Sequence, residues 1–257
     1  MDALFRIDGH HVVSSPETAG PWDPTMQHGA APSALVTSLA EAMPTPVPMQ
    51  VVRVTVDLMR PVPVGPLRFE REVLREGRKI QLCAVRLYAD AHLAVSATVL
   101  KIRDATLPLP DNVVDKPVVL PGPDESRLLT RRSDRNPFLG GIEMRAAAGD
   151  FGTRGPSAIW YRLARLVVAD APVSQTIRAV VASDFTNGTS SLLDFRHWTF
   201  LNADLSVSLA RPPVGEWILL DAESWIGPDG HGIAAAKLAD RTGYFGRAVQ
   251  SLVIERR

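Results

Sequence analysis

Val54–Ile102 reads VTVDLMRPVPVGPLRFEREVLREGRKIQLCAVRLYADAHLAVSATVLKI, and Leu205–Glu255 reads LSVSLARPPVGEWILLDAESWIGPDGHGIAAAKLADRTGYFGRAVQSLVIE. The second stretch is a diverged copy of the first. Arg60-Pro61 matches Arg211-Pro212, Val64-Gly65 matches Val214-Gly215, and Glu72 matches Glu223, at an offset near 151 residues. Solenoid repeats are much shorter than this. The pattern therefore reads as two copies of one domain fused in a chain of 257 residues. A site between such copies can be asymmetric, with one copy keeping the chemistry and the other serving as scaffold.

Each copy carries a strand signal. Val54, Val56 and Leu58 alternate with Thr55 and Asp57, as Leu205, Val207 and Leu209 alternate with Ser206 and Ser208. Period two marks a half-buried antiparallel strand, and the Arg-Pro that follows each one stops it. Further strands are expected over residues 67–74, 81–89 and 94–102, and over 217–225, 233–239 and 246–254. The clusters Arg75-Glu76-Gly77-Arg78 and Gly227-Pro228-Asp229-Gly230 read as turns between them. Upstream strands are expected over 3–13 in the first copy and over 142–147 and 158–168 in the second, where Trp160, Tyr161 and Arg162 suggest a mixed core and edge strand.

One helix-length apolar segment precedes each strand run. Ala30–Met43 begins with Pro32 in its first turn and is stopped by Pro44. Val173–Phe185 can be capped by Ser174 and ended by Asn187-Gly188. Both are apolar on more than one face, which suits a helix wrapped by a curved sheet. The expected units are residues 1–103 and 138–257. Between them, 104–137 reads as an extended crossover linker with five prolines (108, 110, 117, 121 and 123) and the charge-dense RRSDR of 131–135.

Composition excludes several classes. Lys+Arg and Asp+Glu are 28 each, so no net field draws the chain to nucleic acid or an anionic membrane. Cys83 is the only cysteine, which rules out an intrachain disulfide and a Cys-rich zinc site. In its strand setting it reads as a small core residue. MDALFRIDGHHVV lacks the pattern of a signal peptide, and no apolar run reaches the roughly 18–20 residues of a membrane span. A reducing cytoplasm is the expected location. There is no G-x-S-x-G elbow, H-E-x-x-H motif or P-loop.

A helix wrapped by an antiparallel sheet, present twice, is a double hotdog, an α+β fold. On these features the chain resembles the acyl-CoA thioesterase II family, whose members are tandem hotdogs. The likeness covers nearly everything but the linker and is more specific in the second half. It implies hydrolysis of acyl-CoA to free acid and coenzyme A. It implies no metal or redox cofactor, coenzyme A entering only as part of the substrate. Sheet edges that need cover, together with the habits of related proteins, imply a homo-oligomer, expected as a dimer of tandem hotdogs.

Three residues carry the comparison: Asp184 at the end of the second helix, Asn202 where the family usually has threonine, and Gln250 on the last strand. In the family these positions hold and activate a water that attacks the thioester. The chemistry is sound on its own terms. A carboxylate can accept the water's proton, and two amides can orient the water through their donors and acceptors. Threonine replaced by the longer, flatter asparagine bears on where the water sits. Gln27-His28-Gly29-Ala30 precedes the first helix. His28 and Gly29 are candidates for oxyanion or substrate binding, because free N–H groups at a helix start stabilise developing negative charge. Glu41 lies near the place comparable to Asp184 without matching it clearly, so the first copy is expected to be silent. Leu35, Val180 and Phe185 would line an acyl channel. Arg60 and Arg211 could meet coenzyme A phosphates, although repeat symmetry favours a structural role for both. Two alternatives stand beside hydrolysis. A non-catalytic acyl-thioester binding protein would fit the Asn202 departure. A hotdog enoyl-CoA hydratase would need an Asp/His pair, for which His197 is close in sequence to Asp184.

Overall fold

The structure, a computed structural model, describes residues 3–110, 113, 117–130 and 136–257. The RRSDR cluster lies outside them. The first half contains β1 (Phe5–Asp8), β2 (His11–Ser14), α1 (Ala30–Glu41), β3 (Met49–Leu58), β4 (Pro66–Glu76), β5 (Ile80–Ala89) and β6 (His92–Arg103). The second contains β7 (Arg127–Leu128), β8 (Ile142–Ala148), β9 (Ser157–Leu163), α2 (Gln175–Ser183), α3 (Thr186–Thr189) and β10 (Trp198–Asn202). It is completed by β11 (Asp204–Leu209), β12 (Trp217–Ile226), β13 (His231–Asp240) and β14 (Gly243–Arg256).

The strands form one antiparallel sheet in the order β1-β2-β4-β5-β6-β3-β11-β14-β13-β12-β9-β8-β7, with β10 also paired to β14. Read from the middle outward, the two halves repeat: β3 and β11, β6 and β14, β5 and β13, β4 and β12, β2 and β9. At the join, Thr55 faces Ser206, Val54 faces Val207 and Val56 faces Leu205. Ser206 is the repeat counterpart of Thr55, so an approximate twofold axis passes through that pair. This is the double hotdog. Alternation sends Val54, Val56, Leu205 and Val207 into the core, all fully buried.

The helices fill the concave side. α1 packs on β3, β5 and β6, α2 packs on β9, β11, β12 and β13, and the two pack on each other. Ten of the twelve residues of α1 are buried, which is why its sequence has no polar face. The hydroxyls that burial traps return to the helix backbone, Ser33 Oγ donating to Gly29 O and Thr37 Oγ1 to Ser33 O at 2.8 Å each. Ser174 caps α2 as expected, its side chain accepting from Ile177 N–H at 3.0 Å.

Several expectations shift. The expected strand over 3–13 is split by a turn at Gly9, whose φ of +58° suits glycine. Asn187-Gly188 does not end the second helix. The chain bends at Asp184 and restarts as α3, with Thr186 Oγ1 donating to Ser183 O at 2.7 Å. The strand expected over 158–168 stops at Leu163, because the next residues leave the sheet to pair with the N-terminus (Leu4 N–H to Leu166 O 3.0 Å, Phe5 N–H to Val167 O 2.8 Å). β9 is flanked by β8 and β12, so Trp160 is no edge residue. Part of the expected linker covers it: Val118 and Leu120 pack nearby, and Trp160 Nε1 donates to Pro121 O at 2.9 Å. The same stretch contributes β7, paired to β8.

The two Arg-Pro arginines differ. Arg211 binds the buried Asp240 through two contacts of 2.6 and 3.1 Å, and Asp240 also accepts from Val214 N–H and Thr242 N–H at 2.7 Å each. Burial alone would raise the Asp240 pKa. The Arg211 and Thr242 hydrogen bonds outweigh it and bring the carboxyl down to about 2. Arg60, by contrast, is exposed and makes no such contact among the described residues, so the symmetric structural role does not hold. Cys83 is buried in the core, and burial pushes its thiol pKa up.

Candidate functional site

The axis that relates the halves sets α1 and α2 antiparallel, so each helix starts where the other ends. Two comparable places result. At one, Asp184 caps the C-terminus of α2 beside Gly29, the residue before α1. At the other, Glu41 ends α1 beside Ser174, the N-cap of α2, and accepts its hydroxyl at 2.9 Å.

The first place gathers the residues singled out from sequence. Asp184 Oδ1 accepts from Asn202 Nδ2 at 3.0 Å and from Gln250 Nε2 at 3.4 Å. Gln250 Nε2 also lies 3.2 Å from the Asp184 carbonyl, and its Oε1 accepts from Asn187 N–H at 3.0 Å. Asp184 and Gln250 are both buried. β10 and β14 bring the amides in by pairing Asn202 with Leu252, two residues from Gln250. The donor that a threonine would supply to the carboxylate is supplied here by the Asn202 amide. Asn187 was read as a helix stop, and its backbone role had no signal in the sequence.

His28 is placed against the carboxylate. Its Nδ1 is 3.0 Å from Asp184 Oδ2 and 3.2 Å from Ala30 N–H. One nitrogen cannot serve both partners at once: protonated it donates to Asp184, and bare it accepts from Ala30. The ring is held by Phe138, stacked at 4.8 Å, and Phe185 at 4.9 Å. Phe138 N–H is tied to Ala19 O at 3.1 Å, in the segment that leads to His28. Gly29 has φ −54°, an ordinary helical value, so it is not demanded by backbone conformation. It is demanded by space, because a Cβ there would stand 2.9 Å from Asp184 Oδ1 and 3.1 Å from Oδ2.

Of the expected channel residues, Phe185 borders the carboxylate and also stacks on Tyr161 at 4.9 Å, whose hydroxyl shares a 2.7 Å hydrogen bond with Thr189. Leu35 and Val180 are wholly buried in the core cluster. His197 is exposed and lies beside Asp194 instead of Asp184.

The second place is different. The C-cap of α1 is Ala42, and the positions corresponding to Asn202 and Gln250 in the paired registers are Val51 and Val99. Lys101, buried, donates to Met43 O at 2.9 Å and satisfies the end of α1. Burial raises the Glu41 pKa, partly offset by hydrogen bonds from Ser174 and Thr176, and burial lowers that of Lys101. Among the described residues, no side chains there reproduce the carboxylate-and-two-amides arrangement.

Two family models match the chain: the acyl-CoA thioesterase N-terminal domain over residues 18–102 and the acyl-CoA thioesterase C-terminal domain over residues 110–254. No curated protein matches the sequence significantly. Among solved structures, a hot dog protein of unknown function from Alicyclobacillus acidocaldarius superposes with TM-score 0.76 at 13% identity, covering 98% of this chain and 95% of that one. The tesB protein of Mycobacterium avium subspecies paratuberculosis gives 0.70 at 17%, covering 98% and 95%. An acyl-CoA thioesterase II, TesB2, of Mycobacterium marinum gives 0.66 at 17%, covering 89% and 88%. At such identities the likeness to these structures speaks to the fold. No helix among the described residues is long and apolar enough to cross a membrane.

Proposed function

The chain belongs to the acyl-CoA thioesterase family, enzymes that hydrolyse thioesters on a double hotdog, and from that premise we propose that Asp184 is the general base of its reaction. The observation that carries this reading is the convergence of one buried carboxylate, two amides and a helix start at a single point. Asn202 and Gln250 both donate to Oδ1 and fix the carboxylate, while among the described residues His28 is the side chain paired with Oδ2. A water bound at Oδ2 can give up a proton there, and Asn202 Oδ1 can take the water's second hydrogen bond.

The water oxygen forms a bond to the thioester carbon as its proton passes to Asp184. The oxyanion faces the Gly29 N–H and the positive end of α1. Collapse breaks the carbon–sulfur bond, and the proton on Asp184 passes to the departing coenzyme A thiolate. The substrate is an acyl-CoA. We read the enzyme as a cytoplasmic dimer of tandem hotdogs. The test is thiol release across a panel of acyl-CoA chain lengths by parent and Asp184→Asn proteins.

One observation favours a second reading. The Asp184–His28 pair at 3.0 Å is the acid–base pair that hydration of an enoyl-CoA needs. Loss of the conjugated enoyl absorbance without thiol release would establish hydratase activity in place of hydrolysis. Tight acyl-CoA binding with neither signal would establish a binding protein.

A further inference from the structure

A groove of about 420 Å³ opens on the surface of the second half, bounded by Arg154, Leu193, Asp194, His197, Trp198 and Arg256. That is the size of a small-molecule site, typically ~300–1,000 Å³. Its charge is lopsided. Asp194 is its only acid. It is taken by Arg196, whose Nη2 lies 2.6 Å away, and these hydrogen bonds hold the carboxyl well below the usual range. Arg154 stands 3.5 Å and His197 Nδ1 3.9 Å from the same carboxylate, and Arg256 has no ion pair among the described residues. Two guanidinium groups and an imidazole therefore share one carboxylate, and the Arg256 guanidinium adds a third to the groove. In a chain with no net charge, such a local surplus is a place for an anion. Trp198 faces Arg256 directly across the β10–β14 ladder, which sets a flat ring beside a cation.

The groove and the Asp184 site share neighbouring walls. Arg154 lies in the loop that also carries Phe151, and Phe151 meets Phe185 at 6.5 Å, next to Asp184. Leu193 walls both the groove and a narrower cleft lined by Asn187 and Leu252, and Asn187 N–H is bonded to Gln250. Gly155 N–H donates to Ser191 O at 2.9 Å and ties the two loops together.

We propose that this groove receives the phosphorylated adenosine end of coenzyme A, with Arg154 and Arg256 on its phosphates and Trp198 against the adenine ring. Arginine suits phosphate through its planar fork, and indole suits a purine face. The assignment rests on reading Asp184 as the thioester end, and its test separates the two. Parent and Arg154→Ala/Arg256→Ala proteins are assayed on acyl-CoA and on the N-acetylcysteamine thioester of the same acid, which has no nucleotide. Binding of adenosine 3′,5′-bisphosphate is measured by calorimetry. Charge-assisted contacts of this kind are worth about tenfold or more in affinity. The double variant is expected to raise KM for acyl-CoA by that factor and leave kcat intact. It should leave kcat/KM for the short thioester unchanged and lose the bisphosphate, whose binding to the parent weakens with salt. Equal effects on both thioesters, or none on acyl-CoA, overturn the assignment. So does a variant that loses turnover of an acyl-carrier-protein thioester while keeping that of acyl-CoA. If the parent hydrolyses nothing, the thioesterase reading fails. The groove is then judged on calorimetry alone: bisphosphate binding abolished in the variant supports it, and no binding by the parent overturns it.

Discussion

Gly29→Ala isolates the geometry of the carboxylate from the fold. The backbone at Gly29 is already helical, so alanine fits its φ and ψ, and only the new methyl matters. That methyl would lie 2.9 Å from Asp184 Oδ1 and 3.1 Å from Oδ2. Ordinary contact distances are roughly 0.5 Å longer. A long flexible side chain would step aside at little cost. Asp184 is short, and Asn202, Gln250 and His28 hold its two oxygens, so relief comes by rotating the carboxylate away from the water position or by pushing α1 back. A misplacement of about 1 Å can cost roughly 10²-fold, so half that displacement should lower kcat about tenfold to a hundredfold. Replacing glycine by alanine at this cap should cost stability no more than about 1 kcal/mol. The assay is thiol release on a fixed acyl-CoA, with thermal melts alongside. The decisive comparison is the cycle with Asp184→Ala: once the carboxylate is gone, adding Gly29→Ala should cost nothing more in rate. A folded Gly29→Ala protein with the parent kcat, or one whose loss persists undiminished in the Asp184→Ala background, would refute the reasoning.

Asp184→Asn should keep the fold and lower turnover by about 10²–10⁴, read by steady-state kinetics with circular dichroism as the folding control. Asn202→Ala should cost less in rate. Gln250→Ala should also lose about 1–3 kcal/mol of stability in thermal melts, because it strands the half-buried donor Asn187 N–H. Asp240→Ala should cost about 3 kcal/mol by denaturant unfolding, since it unpairs Arg211 and leaves two N–H donors without an acceptor. Because the folded Asp240 carboxyl sits at about 2 against an ordinary 3.8, its contribution is present above about pH 4 and lost as pH falls towards 2. The parent should therefore lose stability over that interval more steeply than Asp240→Asn. Light scattering at micromolar concentration should show a dimer, and a species of only 27.9 kDa would count against it.

What could be read from the chain alone followed the physics of each signal. The period-two runs around Val54 and Leu205 are written in residue type, so both strands and their equivalence were legible, and with them the double hotdog. Asp184, Asn202 and Gln250 were legible only through family resemblance, because nothing local in Ala-Ser-Asp or Ala-Val-Gln distinguishes a buried base from a solvated end. The His28–Asp184 contact was not legible. The partners are 156 positions apart and meet only because the sheet joins at Thr55–Ser206 and sets the helices antiparallel. Trp160 was misread for a similar reason. Its cover comes from Val118 to Pro121, a stretch whose prolines suggest a free linker but whose apolar side chains found a sheet face to bury.

The same symmetry bears on why the proposed site occurs at only one of the two junctions. An axis between β3 and β11 creates two helix-end junctions, and each must satisfy the carbonyls that end a helix. At the end of α1 this is done by Lys101 on Met43 O, with Val51 and Val99 closing the space where amides would stand. At the end of α2 the Gln250 amide takes the Asp184 carbonyl and the carboxylate in one group. The first solution ties the buried ammonium to backbone and Glu41 to the cap of α2, and serves packing. The second keeps a carboxylate buried against amide donors, which offset the cost of burying it. Valine at 51 and 99 means the first junction cannot be made reactive by one substitution. Ala42 is exposed, so an aspartate placed there alone would face solvent with no amide beside it. Such a variant is expected to keep the parent's stability to within about 0.5 kcal/mol and to add no turnover.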